Sequence, residues 1–277
     1  MRIVYEISEL RPYINWVYFF FAWQVKEQAE KDRLRDEAEA LLTELESRYH
    51  AYGLFELFDA YSDGDDIVVR RAVGNQELVV GKIPCLRQQQ GNPPYLCLSD
   101  FISPQNMSAD FSSPSSSKIG LFATSVDIGL ETDFDADPYQ KMMAQLLADR
   151  LAEAAAERMH EQVRKAYWGY AKDEHLTIPE VLVEKFQGIR PAVGYPSLPD
   201  TSLNFLIDEL IDMHQIGIHF TESGAMKPHA SVSGLMLAHP KSRYFSIGKI
   251  GEDQLLDYAR RRGLPLELVR RFLAANL

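Results

Sequence analysis

Two carboxylates share a face with apolar residues on the long helix that the sequence predicts from Pro138 onward. Residues at three- and four-residue spacing lie on one side of such a helix. The members of this face are Met142, Leu146, Asp149, Glu153, Ala156 and His160. Acids among apolar neighbours need partners, and Arg150 and Arg164 are placed for helix-face ion pairs. The helix alone leaves two interpretations open: ion pairs of this kind, or a polar site that faces a ligand or a partner.

A second group of candidate ligand-binding residues lies in a stiff, polar turn at residues 190–200. Its sequence is RPAVGYPSLPD. Its prolines restrict the backbone, and Gly194 permits a close approach that a side chain would block. The guanidinium of Arg190 is suited to bind a carboxylate, and Tyr195 adds a hydroxyl on a rigid support. A plain structural turn would have the same composition. The segments FTESGAMKPHASVSG and HPKSRYFSIGKI follow, and their small residues leave room for a flat ligand against backbone amides.

These residues must be positioned by interleaved helices and strands. Helical spacing and an Asp137–Pro138 start signal predict helices over 24–49, 138–171, 178–186, 202–213, 253–262 and 265–274. Strands are predicted over 53–60, 66–72, 77–80, 95–98, 118–126, 217–221, 231–238 and 244–250, and residues 1–16 are expected to be extended. The turn signal Ser62, Asp63, Gly64 predicts a hairpin. Short gaps between strands favour an antiparallel α+β sheet over a βαβ winding.

Several specific activities are excluded because their motifs are missing. The sequence has neither a G-x-G-x-x-G dinucleotide fingerprint nor a phosphate-binding G-x-x-x-x-G-K-[ST] loop. His160 and Glu161 match the first two residues of the zinc protease motif H-E-x-x-H, but the second histidine, four residues on, is absent. Ser231 and Ser233 lack the leading glycine of a nucleophile elbow, so hydrolysis is not supported.

Charge and composition narrow the class of protein further. Forty acidic residues against 29 basic ones give a formal net charge of −11, which disfavours nucleic acids and anionic membranes because both attract basic proteins. The early apolar stretch at residues 16–23 is too short for a signal peptide or a membrane span. Cys85 and Cys97 form neither a C-x-x-C pair nor a metal-ligand spacing. We therefore expect a cytoplasmic globular protein.

Four separated motifs occur in order along the chain: LADRLAEAAAERMHEQVRKAYWGYA, RPAVGYPSLPD, TESGAM with ASVSG, and HP…RYFSIGKI…DQLLDYARRRG. Together they resemble the activation, or reactivation, domain of cobalamin-dependent methionine synthase. The resemblance extends from residue 5 to the C terminus and is strongest from Tyr139 to Leu277. It implies a C-shaped α+β fold, with helices packed about a twisted antiparallel sheet. It also implies a single activation domain over 1–277, with an aromatic segment at 1–23 and a Ser- and Pro-rich loop at 103–117.

The function that the resemblance implies is a repair reaction. The family's domain binds S-adenosylmethionine, whose methyl group traps the reduced cobalt after cobalamin has been oxidised to inactive cob(II)alamin. The implied partners are a cobalamin-binding module or subunit of methionine synthase, which holds the cobalamin, and a flavodoxin-like or other one-electron donor. A sulfonium methyl is already activated, so positioning is the main task and no catalytic residue or metal ligand is assigned.

The resemblance also implies roles for individual residues. Arg190 matches the arginine that fixes the methionine carboxylate, and Tyr195 matches a tyrosine near the cobalt. Tyr244 and Phe245 match an aromatic pair beside the nucleoside, in which the second residue is often tyrosine. Glu153 matches an acid at the ligand site.

Four further positions complete the implied site. Asp149 matches an acid that faces the cobalamin module, and Ala192 and Gly194 belong to the ligand-binding turn. The stretch INWVYFFFAW resembles the family's IDW…FF…W motif, but Asn15 replaces the ligand-binding acid. An amide accepts a hydrogen bond yet lacks the negative charge that would pair with a sulfonium or ammonium group.

Two alternatives accompany this interpretation. Asn15 and Phe245 motivate a non-catalytic docking module on a corrinoid protein that has lost S-adenosylmethionine binding, and the repaired corrinoid protein need not be methionine synthase. No D-x-H-x-x-G cobalamin-ligand motif occurs. The short N-terminal segment favours a free-standing subunit of a split methionine synthase over an excised domain.

Overall fold

The computed structural model describes residues 1–74, 76–105 and 117–277. The strands in these ranges are β1 (Arg2–Glu6), β2 (His50–Asp63), β3 (Asp66–Val73), β4 (Gln76–Pro84), β5 (Lys118–Val126), β6 (His219–Phe220), β7 (Met226–Lys227) and β8 (Ser231–Met236). The α-helices are α1 (Ile7–Leu10), α2 (Trp16–Ala22), α3 (Gln28–Leu45), α4 (Gly129–Thr132), α5 (Pro138–Gln162), α6 (Ile178–Leu182), α7 (Leu203–Ile211), α8 (Glu252–Arg262) and α9 (Leu266–Phe272).

The main sheet is open and has the strand order β4-β3-β2-β5-β8, with β1 paired to β2. β1 and β2 are antiparallel, and Arg2 lies opposite Leu54. The hairpin predicted around Ser62–Gly64 is confirmed, because β2 and β3 pair from Asp59↔Arg70 to Asp63↔Asp66. β3 and β4 are also antiparallel, with a register shift between Val69 and Arg70. The predicted α+β class with an antiparallel sheet is therefore confirmed.

The chain divides into two compact units, each made of three chain segments. The first unit comprises Met1–Phe55, Ala123–Phe186 and Met213–Val232. Its central element is α5, which contacts α1, α2, α3 and α4. One side of α5 is built from small and aliphatic residues that are fully buried, among them Leu147, Leu151 and Ala155. This apolar side explains why a helix of such length is stable here.

The second unit comprises Glu56–Phe122, Gln187–Asp212 and Ser233–Leu277. Its C-terminal core packs α8 and α9 through a cluster of buried residues: Leu86, Ile247, Ile250, Leu255, Tyr258, Ala259, Val269 and Leu273. Beside this core the carboxylate of Asp66 is buried between two cations. It accepts a hydrogen bond from Arg261 and lies 2.6 Å from the Lys82 ammonium, which compensates its charge.

The start of α5 is as predicted, but its end is not. Asp137 caps the helix by accepting hydrogen bonds from the N–H groups of Tyr139 and Gln140 at 2.8 and 3.4 Å, with Pro138 in the first turn. The predicted continuation to residue 171 is wrong, because a π-helical turn over Val163–Tyr167 follows Gln162. Gly169 then adopts a left-handed conformation with φ +73°. Such a glycine is a frequent helix terminator.

The extended structure expected over residues 1–16 is confirmed for β1 (Arg2–Glu6) and is wrong beyond it. After β1 the chain forms α1 and a short 3-10 turn, and residues 16–22 form α2. Phe19 is buried, whereas Val17, Tyr18 and Phe21 are exposed. The run of bulky residues thus forms an amphipathic helix, with aromatic side chains on its outer side.

Three other predictions need correction or lie outside the described residues. The segment predicted as a strand at 95–98 has only an isolated bridge between Arg87 and Cys97, followed by a 3-10 turn at Leu98–Phe101. The segment at 244–250 contains no strand. Most of the predicted Ser- and Pro-rich loop, residues 106–116, lies outside the described ranges. The single domain over 1–277 stays a prediction.

Candidate functional site

The first part of the 190–200 turn is attached to the sheet beside β8, within the second unit. Isolated bridges join Ile189 to Leu237 and Ala192 to Gly234. The Val193 N–H donates to the Ser233 carbonyl at 2.9 Å, and the Leu235 N–H donates to the Pro191 carbonyl at 3.0 Å. Backbone bonds therefore fix the position of residues 189–193 independently of their side chains.

Gly234 allows this close attachment. An ideal Cβ at this position would lie 2.2 Å from the Pro191 carbonyl oxygen and 2.9 Å from the Ala192 Cα atom. Real Cβ atoms do not approach backbone atoms so closely, so only glycine fits here. The last residue of the ASVSG motif, Gly234, is therefore required by the packing of the turn against β8.

Arg190 is buried and is held at two of its groups. Its backbone N–H donates to the Tyr244 hydroxyl at 2.9 Å, and its guanidinium carbon lies 5.5 Å from the centre of the Phe122 ring. A guanidinium beside an aromatic ring is stabilised by a cation–π interaction and keeps its capacity to donate in the plane. The structure therefore brings together Arg190 and Tyr244, two of the residues singled out from the sequence.

The middle of the turn is compact and partly exposed. Gly194 has φ +88°, and its N–H donates to the Leu198 carbonyl at 2.8 Å. The Tyr195 N–H donates to the Ala192 carbonyl at 3.2 Å, while the Leu198 N–H donates back to Tyr195 at 2.9 Å. The Tyr195 side chain is exposed and Ala192 is buried. The segment is thus the rigid, non-helical scaffold that the sequence predicts.

The far end of the turn is anchored by a buried carboxylate. Asp200 accepts a hydrogen bond from the Tyr258 hydroxyl at 2.8 Å and from the Arg262 Nε at 3.3 Å. Its other oxygen accepts the Ser202 N–H at 2.9 Å and the Ser202 hydroxyl at 2.7 Å. Burial, and next the Asp200 charge, raise the pKa of Tyr258 well above its usual value. Sequence reasoning missed this network because its members lie far apart in the chain.

Tyr244 and Phe245 lie on an irregular segment instead of the predicted strand. Tyr244 is partly exposed, although its hydroxyl reaches the Arg190 backbone. Phe245 is half-buried against the C-terminal core, with its ring centre 6.4 Å from that of Phe101 in an edge-on arrangement. The two neighbouring rings therefore have different surroundings.

The acidic face of α5 belongs to the first unit. Asp149 and Glu153 are half-buried, one helical turn apart, and the face becomes fully buried at Ala156. The Asp149 carboxylate lies 3.7 Å from the His229 Nδ1. Burial raises the pKa of Asp149 above its usual value. Sequence reasoning missed His229, for which the motif gives no signal.

The two arginines considered as ion-pair partners for this face also make other contacts. Arg164 forms a bidentate ion pair with Glu174, with nitrogen–oxygen distances of 2.9 and 2.7 Å. Its guanidinium carbon also lies 4.0 Å from the Phe186 ring centre. The guanidinium of Arg150 lies 5.8 Å from the ring centre of Tyr18. The choice between helix-face ion pairs and a polar site for a ligand or partner therefore stays a prediction.

Asn15, also in the first unit, caps α2. Its side-chain oxygen accepts the Val17 N–H at 3.2 Å. Asparagine is a good residue for this position, so its amide has a structural role. The signal in the sequence is an asparagine directly before a run of residues that form a helix.

Among the described residues, no group of three or more histidine, cysteine or acidic side chains is arranged to hold a metal ion. No helix in the described ranges is long and apolar enough to cross a membrane.

Comparison with known proteins identifies the relatives of the chain. Residues 6–263 match the family model described as "Vitamin B12 dependent methionine synthase, activation domain". Among solved structures, the crystal structure of the MetH reactivation domain bound to AdoHcy (S-adenosylhomocysteine) superposes with a TM-score of 0.91. The two sequences are 38% identical, and the match covers 100% of this chain and 90% of that one. The resemblance noted from the motifs is thereby confirmed.

Proposed function

The chain belongs to the activation-domain family of vitamin B12-dependent methionine synthase, and from this premise we propose that it binds S-adenosylmethionine and reactivates a cobalamin-dependent methionine synthase. One observation carries the proposal: the chain is similar along its whole length to a reactivation domain that was crystallised with AdoHcy. AdoHcy is the molecule that remains once S-adenosylmethionine has given up its methyl group. The expected overall change is the reductive methylation of cob(II)alamin.

The donor set of the 190–200 turn suits this ligand. The guanidinium of Arg190 would bind the methionine carboxylate through paired hydrogen bonds. Ala192 and Gly194 would let the ligand approach the backbone closely, since a Cβ at Gly194 would meet only the Thr201 methyl group at 3.5 Å. Tyr244 and Phe245 would flank the nucleoside, and the exposed Tyr195 would face the cobalamin. When bound, S-adenosylmethionine supplies an activated sulfonium methyl group, so this chain needs only to bind and orient it.

Three residues of the first unit complete the proposed assignments. Glu153 and Asn15 are proposed as further ligand-binding residues. Asp149 is proposed to face the partner, where its carboxylate would hold the imidazole released from cobalt and favour its protonated form.

The proposed partners are a cobalamin-binding module or subunit of methionine synthase and a flavodoxin-like or other one-electron donor. The electron donor would supply the electron that reduces the cobalt, and S-adenosylmethionine would supply the methyl group, leaving AdoHcy. We propose a cytoplasmic location for the reaction. The alternative of a docking module without S-adenosylmethionine binding is not favoured by the similarity to a domain crystallised with AdoHcy.

Calorimetric titration tests the ligand. We expect the protein to bind S-adenosylmethionine and AdoHcy, and to bind methionine much more weakly, because methionine lacks the nucleoside. Absence of binding by both adenosyl compounds would contradict the proposal and support the docking-module alternative.

A reconstitution tests the reaction. Conversion of S-adenosylmethionine to AdoHcy should require this protein, a cobalamin-loaded methionine synthase fragment and a one-electron donor together. Mixtures that lack any one of the three serve as controls. Equal conversion without the cobalamin protein would refute the proposed reaction.

A further inference from the structure

Residues of the C-terminal segment hold the 190–200 turn at three points. At its start, the Tyr244 hydroxyl accepts the Arg190 N–H at 2.9 Å. In its middle, the Ile247 N–H donates to the Pro196 carbonyl at 2.9 Å. At its end, Tyr258 on α8 donates to Asp200 at 2.8 Å. The first two contacts lie near the proposed ligand-binding residues, whereas the third is distant from them along the turn.

The contact at the end of the turn is the most completely enclosed of the three. Asp200 and Tyr258 are each only 1% exposed. Arg262 joins the same network, because its Nη2 donates to the Ser202 hydroxyl at 2.7 Å and its Nε to Asp200 at 3.3 Å. A small molecule in solution therefore has no access to this carboxylate or to the tyrosine.

The partners of Asp200 come from two directions. Ser202 follows it directly in the chain and supplies two hydrogen bonds to one oxygen. Tyr258 and Arg262 come from α8 and bind the other oxygen. Loss of any one of these partners would leave the buried negative charge of Asp200 incompletely compensated. The complete set of hydrogen bonds around the carboxylate is therefore strongly favoured. The carboxylate thus links the turn to α8.

From this arrangement we propose that Asp200 is a positioning residue for ligand binding: together with Tyr258 and Arg262 it fixes the far end of the turn that carries Arg190, Ala192, Gly194 and Tyr195. The proposal rests on the proposed function, because the ligand is the one assigned to that turn. Asp200 acts through the backbone of the turn and does not touch the ligand. A turn held at both ends binds more tightly, since less conformational freedom is lost on binding.

The variant Tyr258→Phe tests the proposal by removing one donor while the ring stays in the core. AdoHcy affinity is measured by calorimetry, and amide hydrogen exchange is measured in residues 190–200, where Gly194, Tyr195 and Leu198 donate within the turn. The matched control is Tyr49→Phe in the first unit, where a buried tyrosine donates to Asp133 at 2.7 Å. We expect Tyr258→Phe to raise the dissociation constant about tenfold and to speed exchange in the turn. Tyr49→Phe should do neither.

Two results would overturn the proposal. One is an unchanged dissociation constant in Tyr258→Phe, and the other is weaker binding with unchanged exchange in the turn. If Tyr258→Phe does not fold, Arg262→Lys keeps the charge and removes part of the hydrogen bonding, and the same two measurements apply. If the unaltered protein binds no AdoHcy, the proposed function fails. The exchange measurement still decides whether Tyr258 orders the turn.

Discussion

Gly234 passes Pro191 so closely that a Cβ atom on residue 234 would stand 2.2 Å from the Pro191 carbonyl oxygen. The same carbonyl accepts the Leu235 N–H at 3.0 Å. Any side chain at 234 would therefore push β8 and the start of the turn apart and break the bonds between them. The position of Arg190, which directly precedes Pro191, therefore depends on the absence of a side chain at residue 234.

Gly234→Ala should reduce both stability and ligand binding. We expect the free energy of unfolding to fall by about 1 to 3 kcal/mol, as for other overpacked sites, and AdoHcy affinity to fall with it. Urea denaturation and calorimetry measure the two effects. Gly81→Ala is the control, since the three atoms nearest to its Cβ would all belong to the flexible Leu210 side chain, the first at 3.1 Å. Equal losses in both variants would show that the contact with Pro191 has no special role.

Arg190→Met should weaken AdoHcy binding by about 1.5 to 3 kcal/mol, the usual range for hydrogen bonds to a charged group. Methionine keeps much of the buried volume beside Phe122, so the loss reports on the guanidinium and not on a cavity. Calorimetry measures it, with the exposed Arg243→Met as the control. Unchanged affinity in Arg190→Met would remove its role as the carboxylate anchor.

Asn15→Asp should tighten S-adenosylmethionine binding by about 1 kcal/mol, because a carboxylate replaces an amide opposite a cationic ligand. Stability should stay the same, since aspartate caps a helix as well as asparagine does. Titration with AdoHcy, which lacks the sulfonium charge, locates the effect: a gain only with S-adenosylmethionine indicates pairing with the sulfonium, and an equal gain indicates the ammonium group. Weaker binding of both ligands would mean that the N-terminal segment around Asn15 has a role other than ligand binding.

Asp149→Asn should lower reactivation in the reconstituted mixture and leave S-adenosylmethionine affinity nearly unchanged. The reason is that the variant keeps the shape of the side chain but loses the charge proposed to hold the partner's imidazole. AdoHcy formation and calorimetry give the two values, and Asp135→Asn, an exposed acid before α5, is the control. Loss of ligand binding with normal reactivation at saturating ligand would place Asp149 at the small-molecule site.

His239 should make stability depend on pH in a defined direction. Burial, and next the Lys241 charge, lower the pKa of His239 below its ordinary value of 6.5, and its Nδ1 accepts the Lys241 N–H at 3.1 Å. The unfolded chain therefore takes up the proton first as the pH falls. The stabilisation is complete above pH 6.5 and is lost as the pH falls from there through the folded pKa.

His239→Asn keeps an acceptor for the Lys241 N–H but cannot titrate. Its free energy of unfolding, measured in urea at pH values on both sides of 6.5, should fall less on acidification than that of the unaltered protein. Parallel pH profiles for the two proteins would disprove the assignment.

The sequence predicts those features that depend on neighbouring residues. The Asp137–Pro138 start of α5 and the β2–β3 hairpin follow from local chemistry, and the structure has both. The stiffness of the 190–200 turn is equally local, because its proline and glycine content restricts the backbone directly.

Features that depend on distant residues could not be predicted in this way. Tyr258 meets Asp200 across 58 positions, and Tyr244 meets Arg190 across 54. The segment at 244–250 has the composition of a strand, but hydrogen bonds to the turn and packing in the C-terminal core determine its irregular path. Tertiary contacts outweigh strand propensity there.

The outer side of α2 affects how the isolated chain behaves in solution. Val17, Tyr18 and Phe21 are exposed, the last to 79%, and such adjoining apolar side chains adhere to one another when two molecules meet. The net charge of −11 opposes such encounters by mutual repulsion. That repulsion disappears near the isoelectric point of about 5.1. The purified protein should therefore precipitate most readily in mildly acidic buffers and keep best in alkaline ones of low ionic strength.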